Sequence, residues 1–140
     1  MQIYTSYIAK QKELEKLGIV CITICAFPPK GFKGPNLAAV APSKSILLEY
    51  KKDNNQEKYI KRYTEEILCI LKEPRYLIDT ISYISQGKDV ALCCYEKSGD
   101  FCHRHILANF LNEKLNLNIT EFVFPEKEEL EVESDSYVLF

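Results

Sequence analysis

The chain of 140 residues has no tryptophan, a small net charge and no long apolar run. General nucleic-acid binders are strongly basic, so a formal net charge of −2 leads us to expect no general nucleic-acid binding. No apolar stretch approaches the roughly 20 residues of a membrane span. Lysines and glutamates are mixed through residues 2–17, which is not the pattern of a signal peptide. We therefore expect a cytoplasmic protein that does not contact membranes.

The sequence also lacks the common motifs of nucleotide-binding and hydrolytic enzymes. It contains no G-x-G-x-x-G, no Walker loop and no G-x-S-x-G. The Cys-x5-Arg cradle of phosphatases is missing, because Arg104 lies only two residues after Cys102. Because no internal repeat or linker divides the chain, we predict a single α/β domain over residues 1–124 and an acidic C-terminal tail over residues 125–140.

Short apolar runs alternate with helical patterns along the chain. The apolar and β-branched runs predict strands over residues 2–7, 19–27, 90–95 and 118–124. The helical spacing predicts helices over residues 9–17, 43–51, 56–72, 76–85 and 102–116. The run at 19–27 lacks polar alternation, so we expect a central parallel strand there. Together the patterns predict an α/β fold in three layers, with a parallel-dominated sheet of about four to five strands and helices on both faces.

The stretch over residues 89–107 combines a buried strand, a polar turn and the start of a helix. Ligands of open α/β sheets lie beyond the carboxyl ends of the strands, where helix N-termini offer unpaired N–H groups. Successive helical residues advance by about 100°, so His103 and Arg104 are predicted to face the sheet, whereas His105 points to solvent. The side chains at this junction that can take part in chemistry are Cys94, Tyr95, Glu96, Cys102, His103 and Arg104.

Six cysteines are present, and without a signal peptide we expect reduced thiols. Four lie inside apolar runs and are expected to be small buried residues: Cys21, Cys25, Cys69 and Cys93. Cys102 opens a helix beside Arg104, which lowers the pKa expected for its thiol. It is the candidate nucleophile, with His103 or Glu96 as acid or base. An unreactive capping cysteine and a Cys94–Cys102 disulfide are the alternatives.

The same residues include metal-ligand types, but helical geometry argues against a metal site. His103 and His105 would diverge, because neighbours at i and i+2 do not share a helix face. A tetrahedral zinc site would therefore not use both histidines. Cys94 with Cys102 and His105 is the combination that remains. We expect no bound metal and no cofactor.

Candidates for binding a ligand lie at four places along the chain: the first strand, the loop over residues 28–42, the middle helix, and the junction around Arg104. Arg104 has a planar fork that suits phosphate or carboxylate, although it can also pair with Glu96 as a structural clasp. Two tyrosines of the middle helix share one face, as in a ligand platform or, more often, a core. The loop over residues 28–42 follows the second strand, and its Lys30 and Lys33 either offer positive charge or are simply solvated. The ligand-binding candidates besides Arg104 are Tyr95, Cys94, Tyr59, Arg62, Tyr63, Thr5, Ser6 and Tyr7.

The strand end Cys94-Tyr95-Glu96, followed by Cys102-His103-Arg104, resembles the hallmark of the prokaryotic and phage family called domain of unknown function 488. The segments TSYIAK and NITEF are similar to that family as well, so the resemblance spans residues 2–124 and excludes the acidic tail. It implies a compact α/β fold with a polar pocket around these residues, and it implies no particular reaction. Phage members leave open a role against nucleotide-based immunity of the host.

Three functions are compatible with these observations. The leading hypothesis is a pocket for a small anionic, nucleotide-like ligand, held by Arg104 and the helix N-terminus, in an enzyme or a ligand-binding protein. The first alternative is a protein that sequesters or senses a nucleotide signal without turnover. The second is a protein-interaction module that uses the acidic tail. The sequence is also compatible with a homodimer.

Overall fold

The computed structural model describes residues 1–71, 73–97 and 99–125. Within these residues the sheet has four strands: β1 (Ile3–Tyr7), β2 (Val20–Thr23), β3 (Val90–Cys94) and β4 (Thr120–Glu121). The same residues form five α-helices: α1 (Gln11–Lys16), α2 (Lys44–Asp53), α3 (Gln56–Tyr63), α4 (Pro74–Ser85) and α5 (His103–Leu115). A π-helical turn at Thr64–Leu68 continues α3. The predicted acidic tail lies outside the described residues except for Pro125.

All four strands are parallel, and their order in the sheet is β2–β3–β1–β4. Ile22 of β2 and Thr5 of β1 both lie opposite Leu92 of β3, so the ends of these three strands are aligned. The predicted α/β fold with a parallel sheet is confirmed. The number of strands among the described residues is at the lower end of the predicted range.

The predicted central position of the second strand is wrong, because β2 lies at the edge of the sheet and ends at Thr23. Residues 35–37 cover its outer edge. The Thr23 N–H donates to the Pro35 carbonyl at 3.0 Å, and the Leu37 N–H donates to the Thr23 carbonyl at 2.8 Å. The Asn36 side chain bonds the backbone N–H and C=O of Cys25, both at 3.1 Å. A covered edge strand is shielded from water, which explains its apolar composition.

The sheet has a larger hydrophobic core on one face and a smaller one on the other. On one face, α2 to α5 and the π turn enclose the larger core, to which Ile22, Leu92, Tyr63, Ile81, Leu107 and Leu111 belong. On the other face, Leu14 of α1 packs over Cys21, Ala91 and Cys93, together with Phe32 and Phe122. Successive residues of β3 therefore alternate between the two cores, as a strand buried on both faces requires. Helices on both faces are confirmed.

Two helix boundaries illustrate how local signals set the fold. The Ser43 hydroxyl accepts a hydrogen bond from the Ile46 N–H at 3.2 Å and caps α2, which matches the predicted helix over residues 43–51. Pro74 begins α4, where its missing N–H removes no helical hydrogen bond, so this helix starts two residues before the predicted residue 76. None of the described helices combines the length and the apolarity needed to cross a membrane.

The junction between β3 and α5 positions the candidate site. All of β3 is buried, and the chain turns before Cys102, which has extended backbone angles and precedes the first turn of α5. This arrangement places the N-terminus of α5 beside the carboxyl ends of the parallel strands. His103 and Arg104 are buried, which confirms their predicted inward direction, whereas His105 is half-buried.

Candidate functional site

A pocket of about 310 Å³ opens at the carboxyl ends of β2 and β3, against the first residues of α5. Its aromatic side chains are Phe27, Tyr50, Tyr59, Tyr95 and Phe101. Its polar side chains include Cys94, Glu96, Cys102 and His103. The volume lies at the small end of the range for ligand pockets, which is about 300–1,000 Å³. The structure therefore gathers most of the predicted residues of the β3–α5 junction, together with Tyr59, around one cavity.

Three rings form a cluster in the pocket. The centroids of Tyr59 and Phe101 are 5.1 Å apart with their planes at 79°, and Tyr50 lies 5.3 Å from Tyr59 and 5.1 Å from Phe101. The two contacts of Tyr59 in this cluster are edge-to-face, a preferred arrangement of aromatic pairs, and the planes of Tyr50 and Phe101 are tilted by 33°. The sequence indicated Tyr59 but not Tyr50 or Phe101, because a helix position and a turn position carry no pattern that marks a ligand site.

The chain that follows β2 supplies another part of the lining. Cys25, Phe27 and Pro42 border the cavity, and the Tyr95 hydroxyl donates to the Phe27 carbonyl. Cys25, Phe27 and Pro42 were not among the predicted ligand-binding residues, although the loop over residues 28–42 was considered because it follows the second strand. The hydrogen bond from Tyr95 connects this segment to the end of β3.

Glu96 gives the pocket a negative charge. Burial, and then the nearby Glu96 carboxylate, raise the pKa of the Cys25 thiol to about 11. The same two causes raise the pKa of the Tyr59 phenol. No lysine or arginine occurs in the lining that the described residues form, and Lys30 and Lys33 are exposed on the loop. The lining therefore carries a carboxylate where the sequence led us to expect a cation.

Cys94 and Cys102 are joined by a disulfide bond at the pocket. The sequence favoured reduced thiols, and the structure corresponds to the alternative. In this form Cys102 has no free thiol, so the predicted nucleophile requires reduction of the bond.

The other cysteines follow the prediction with one exception. Cys21, Cys25 and Cys93 are buried, as expected of small apolar residues. Cys69 is exposed and the prediction for it is wrong, because the chain leaves the core after the buried Leu68. A short apolar run such as the one around Cys69 does not reveal which of its residues faces outward.

His103 is neutral and has a defined tautomer. Its Nε2 lies 2.6 Å from the Ile24 carbonyl, which only accepts hydrogen bonds, so Nε2 carries the proton. Burial lowers the pKa of His103 to about 4, and the charge of Arg104 contributes in the same direction. The other ring nitrogen, Nδ1, therefore has a free lone pair, and it lies 3.9 Å from the Cys102 sulfur.

Arg104 lies behind the pocket wall and its side chain is 0% exposed. Its Nε and Nη2 donate to the two carboxylate oxygens of Glu121 at 3.0 and 2.9 Å. Its Nη1 donates to the Cys94 sulfur at 3.0 Å and to the backbone carbonyl of Glu96. The expected clasp thus uses the carbonyl of Glu96 and the carboxylate of Glu121. Arg104 fixes the end of β3 and is not among the described residues that line the pocket.

The predicted binding residues of β1 also lie away from the described lining. Thr5 is buried and its hydroxyl donates to the Glu121 carboxylate, so it belongs to the same network as Arg104. Ser6 is buried within the sheet, and Tyr7 ends the strand. The structure gives these residues places in the sheet and does not bring them to the cavity.

The two remaining candidates on α3 have structural partners. Arg62 is bound by Glu66 at 2.7 Å and by Glu49 at 3.2 Å on the surface of the helices. The buried Tyr63 donates its hydroxyl to the Val40 carbonyl at 2.6 Å. Neither side chain lines the pocket. Among the described residues of α3, only Tyr59 does.

Fold and site together define a parallel α/β protein with an aromatic pocket at the carboxyl edge of its sheet. The chain belongs to the domain of unknown function 488 family: the family model DUF488-N3a, described as the active DUF488-N3 subclade, matches residues 3–115. The family resemblance noted in the sequence is confirmed. No curated protein and no solved structure matches the chain.

Proposed function

We propose that the protein binds a small nucleotide-like molecule, with the base of that molecule in the aromatic pocket. The observation that carries the proposal is the ring cluster of Tyr50, Tyr59 and Phe101 in a cavity that also contains an acidic side chain. Every nucleobase has a π-face that stacks on aromatic side chains. An aromatic cavity of this small size suits a single planar group better than a long flexible chain.

Glu96 supports recognition of a base through its edge. A carboxylate accepts hydrogen bonds at both oxygens and therefore matches the amino and imino N–H groups of a base. Guanine presents two such donors side by side, so it should pair best with Glu96. Uracil presents one, so it should pair least well.

We assign the anionic part of the ligand to the start of α5. Cys102 occupies the N-cap position and gives no side-chain hydrogen bond to the first turn of the helix. Unpaired N–H groups and the positive end of the helix dipole favour an anion there. This position replaces Arg104 in the role that the sequence suggested, because the Arg104 guanidinium already binds Glu121.

The same site could bind the ligand with or without converting it to a product. A catalytic form of the proposal uses Cys102 as nucleophile and the Nδ1 lone pair of His103 as base. It requires a reduced Cys102, so product should form only with reductant present and should be lost in Cys102→Ser. A protein that sequesters or senses the ligand would return it unchanged under both conditions.

The binding proposal is tested by a thermal-shift series with the 5′-monophosphates of guanosine, adenosine, cytidine and uridine, and with inorganic phosphate. At a concentration of about 100 times Kd, a ligand adds about 2.7 kcal/mol of stability, which raises Tm by roughly 10 °C. We expect the largest shift with the guanosine nucleotide and none with phosphate alone. No shift with any nucleotide at saturating concentration would contradict the proposal.

Matched variants locate the binding. Tyr59→Leu and Glu96→Gln should reduce the nucleotide-induced shift, because each alters the pocket lining. Tyr83→Leu changes an exposed tyrosine on α4 and should leave the shift intact. The interaction-module alternative predicts the opposite pattern, in which deletion of residues 126–140 abolishes function and the pocket variants have no effect.

A further inference from the structure

The sulfurs of Cys94 and Cys102 and the ring of His103 form a cluster whose ligand atoms all lie within 4.8 Å of one another. All three residues are buried, and all three border the pocket. We propose that the reduced protein binds one thiophilic divalent cation, such as zinc, through the Cys94 sulfur, the Cys102 sulfur and Nδ1 of His103. This inference is independent of the ligand proposed above, and it reverses the expectation of no metal.

The sequence left Cys94, Cys102 and His105 as the ligand set that helical geometry allows, and the structure brings His103 to the two cysteines instead. Two neighbouring residues inside a helix do not share a face. Cys102, however, precedes α5 and has extended backbone angles, with φ −157° and ψ 146°. Its sulfur is therefore free of the helical periodicity and lies 3.9 Å from Nδ1 of the next residue, His103.

His103 is already oriented as a metal ligand. Histidines that bind metals commonly donate their other ring N–H to a backbone carbonyl or a carboxylate, which fixes the tautomer. Here Nε2 donates to the Ile24 carbonyl at 2.6 Å, so the lone pair is on Nδ1, on the side of the Cys102 sulfur. No rotation of the ring is needed to bind a cation between these atoms.

The backbone spacing of the two cysteines suits a bridging cation. Their Cα atoms are 7.5 Å apart, whereas disulfide-bonded cysteines usually have Cα atoms about 4.4–6.8 Å apart. A zinc ion binds each sulfur at about 2.3 Å and separates the two sulfurs, so it accommodates the wider spacing. The cation would therefore fit between β3 and the start of α5 with the backbone where it is.

A second layer of contacts supports the charged form of the sulfurs. Nη1 of Arg104 donates to the Cys94 sulfur at 3.0 Å, and a thiolate accepts such a bond better than a thiol does. The positive charge of Arg104 is itself balanced by the two bonds to Glu121. The site thus has a hydrogen-bond donor for a metal-bound sulfur without an uncompensated cation beside the metal.

Three protein ligands leave a fourth tetrahedral position, and the pocket is adjacent to it. Catalytic zinc sites commonly have three protein ligands and an open position for water or substrate.

The oxidised protein would take up the cation in two steps. Two molecules of a small thiol reduce the Cys94–Cys102 bond and become a disulfide themselves, giving two cysteine thiols. The cation then replaces the two thiol protons, which leave to solvent, and binds both sulfurs.

Cobalt(II) titration of the full chain, reduced with a phosphine, tests the proposal. We expect one cobalt ion per chain, with thiolate-to-cobalt absorption in the near ultraviolet, and displacement of cobalt by zinc. The absorption should be lost in Cys94→Ser and in Cys102→Ser. Cys25→Ser is the matched control, because Cys25 also borders the pocket but is outside the cluster, and it should keep the absorption. Absence of the band in the reduced protein, or its persistence in Cys94→Ser, would overturn the proposal.

Zinc protection in the unmodified protein covers the case in which a variant fails to fold. After reduction, saturating zinc should slow alkylation of Cys94 and Cys102 by iodoacetamide, measured by peptide mass spectrometry, because a metal-bound thiolate is no longer free to react. The exposed Cys69 should react at the same rate with and without zinc. Equal labelling of Cys94 and Cys102 under the two conditions would overturn the proposal, whatever the ligand experiments show.

Discussion

Replacing Glu121 by glutamine tests whether Arg104 is a structural residue. The variant keeps the shape of the side chain and removes its charge, so the buried guanidinium of Arg104 loses its carboxylate partner. Removing one partner of a buried ion pair costs about 3–5 kcal/mol. Because the Glu121 side chain is 23% exposed, water compensates part of the loss, and we expect about 3 kcal/mol.

Urea unfolding at neutral pH measures this loss. With a denaturant slope of about 1–3 kcal/mol per molar, the unfolding midpoint should fall by about 1.5 M. Glu66→Gln is the matched control, because it neutralises the carboxylate of the exposed pair with Arg62 and should change the midpoint much less. The reasoning is refuted if the midpoints of Glu121→Gln and Glu66→Gln differ from the unmodified protein by the same small amount.

Three further predictions follow from the same contacts. With a chelator present, lowering the pH from 7 to 4 should cost the unmodified protein about 3 kcal/mol more than it costs His103→Gln. In the unfolded chain the His103 imidazole binds a proton near pH 6.5, whereas in the folded protein burial lowers its pKa to about 4. If urea unfolding shows the same loss of stability in the unmodified protein and in His103→Gln, the prediction is wrong. Asn36→Ala should lower the free energy of unfolding by about 2 kcal/mol, because two backbone groups of Cys25 lose their partner; an unchanged urea midpoint would count against it. Arg62→Ala should have the same nucleotide affinity as the unmodified protein, measured by isothermal titration calorimetry. Weaker binding would show that Arg62 takes part in the ligand site.

The end of β3 and the start of α5 could be predicted because the sequence signals for both are local. An apolar run that ends at a polar turn before a helical pattern predicts both elements, and parallel strands place their carboxyl ends at one edge. Cys94, Glu96 and Cys102 are therefore brought together as the sequence indicated. The inward direction of His103 followed from helical geometry in the same way.

The role of Arg104 was not predictable, because its partner is distant in sequence. Glu121 lies in a strand of two residues, and only the pairing of β4 with β1 brings its carboxylate to the guanidinium. The edge position of β2 was missed for a similar reason. The segment around Asn36 shields that strand, and no pattern within the strand itself reveals a covering loop.

The central claim is that the pocket at the carboxyl edge of the sheet binds a nucleobase. A titration of the ¹⁵N-labelled chain with guanosine 5′-monophosphate, followed by nuclear magnetic resonance, tests it most directly. We predict saturable shifts of backbone amides in residues 25–27, 94–96 and 101–103, with little change around Arg62. Shifts confined to residues outside these segments, or no shifts at all, would contradict the claim.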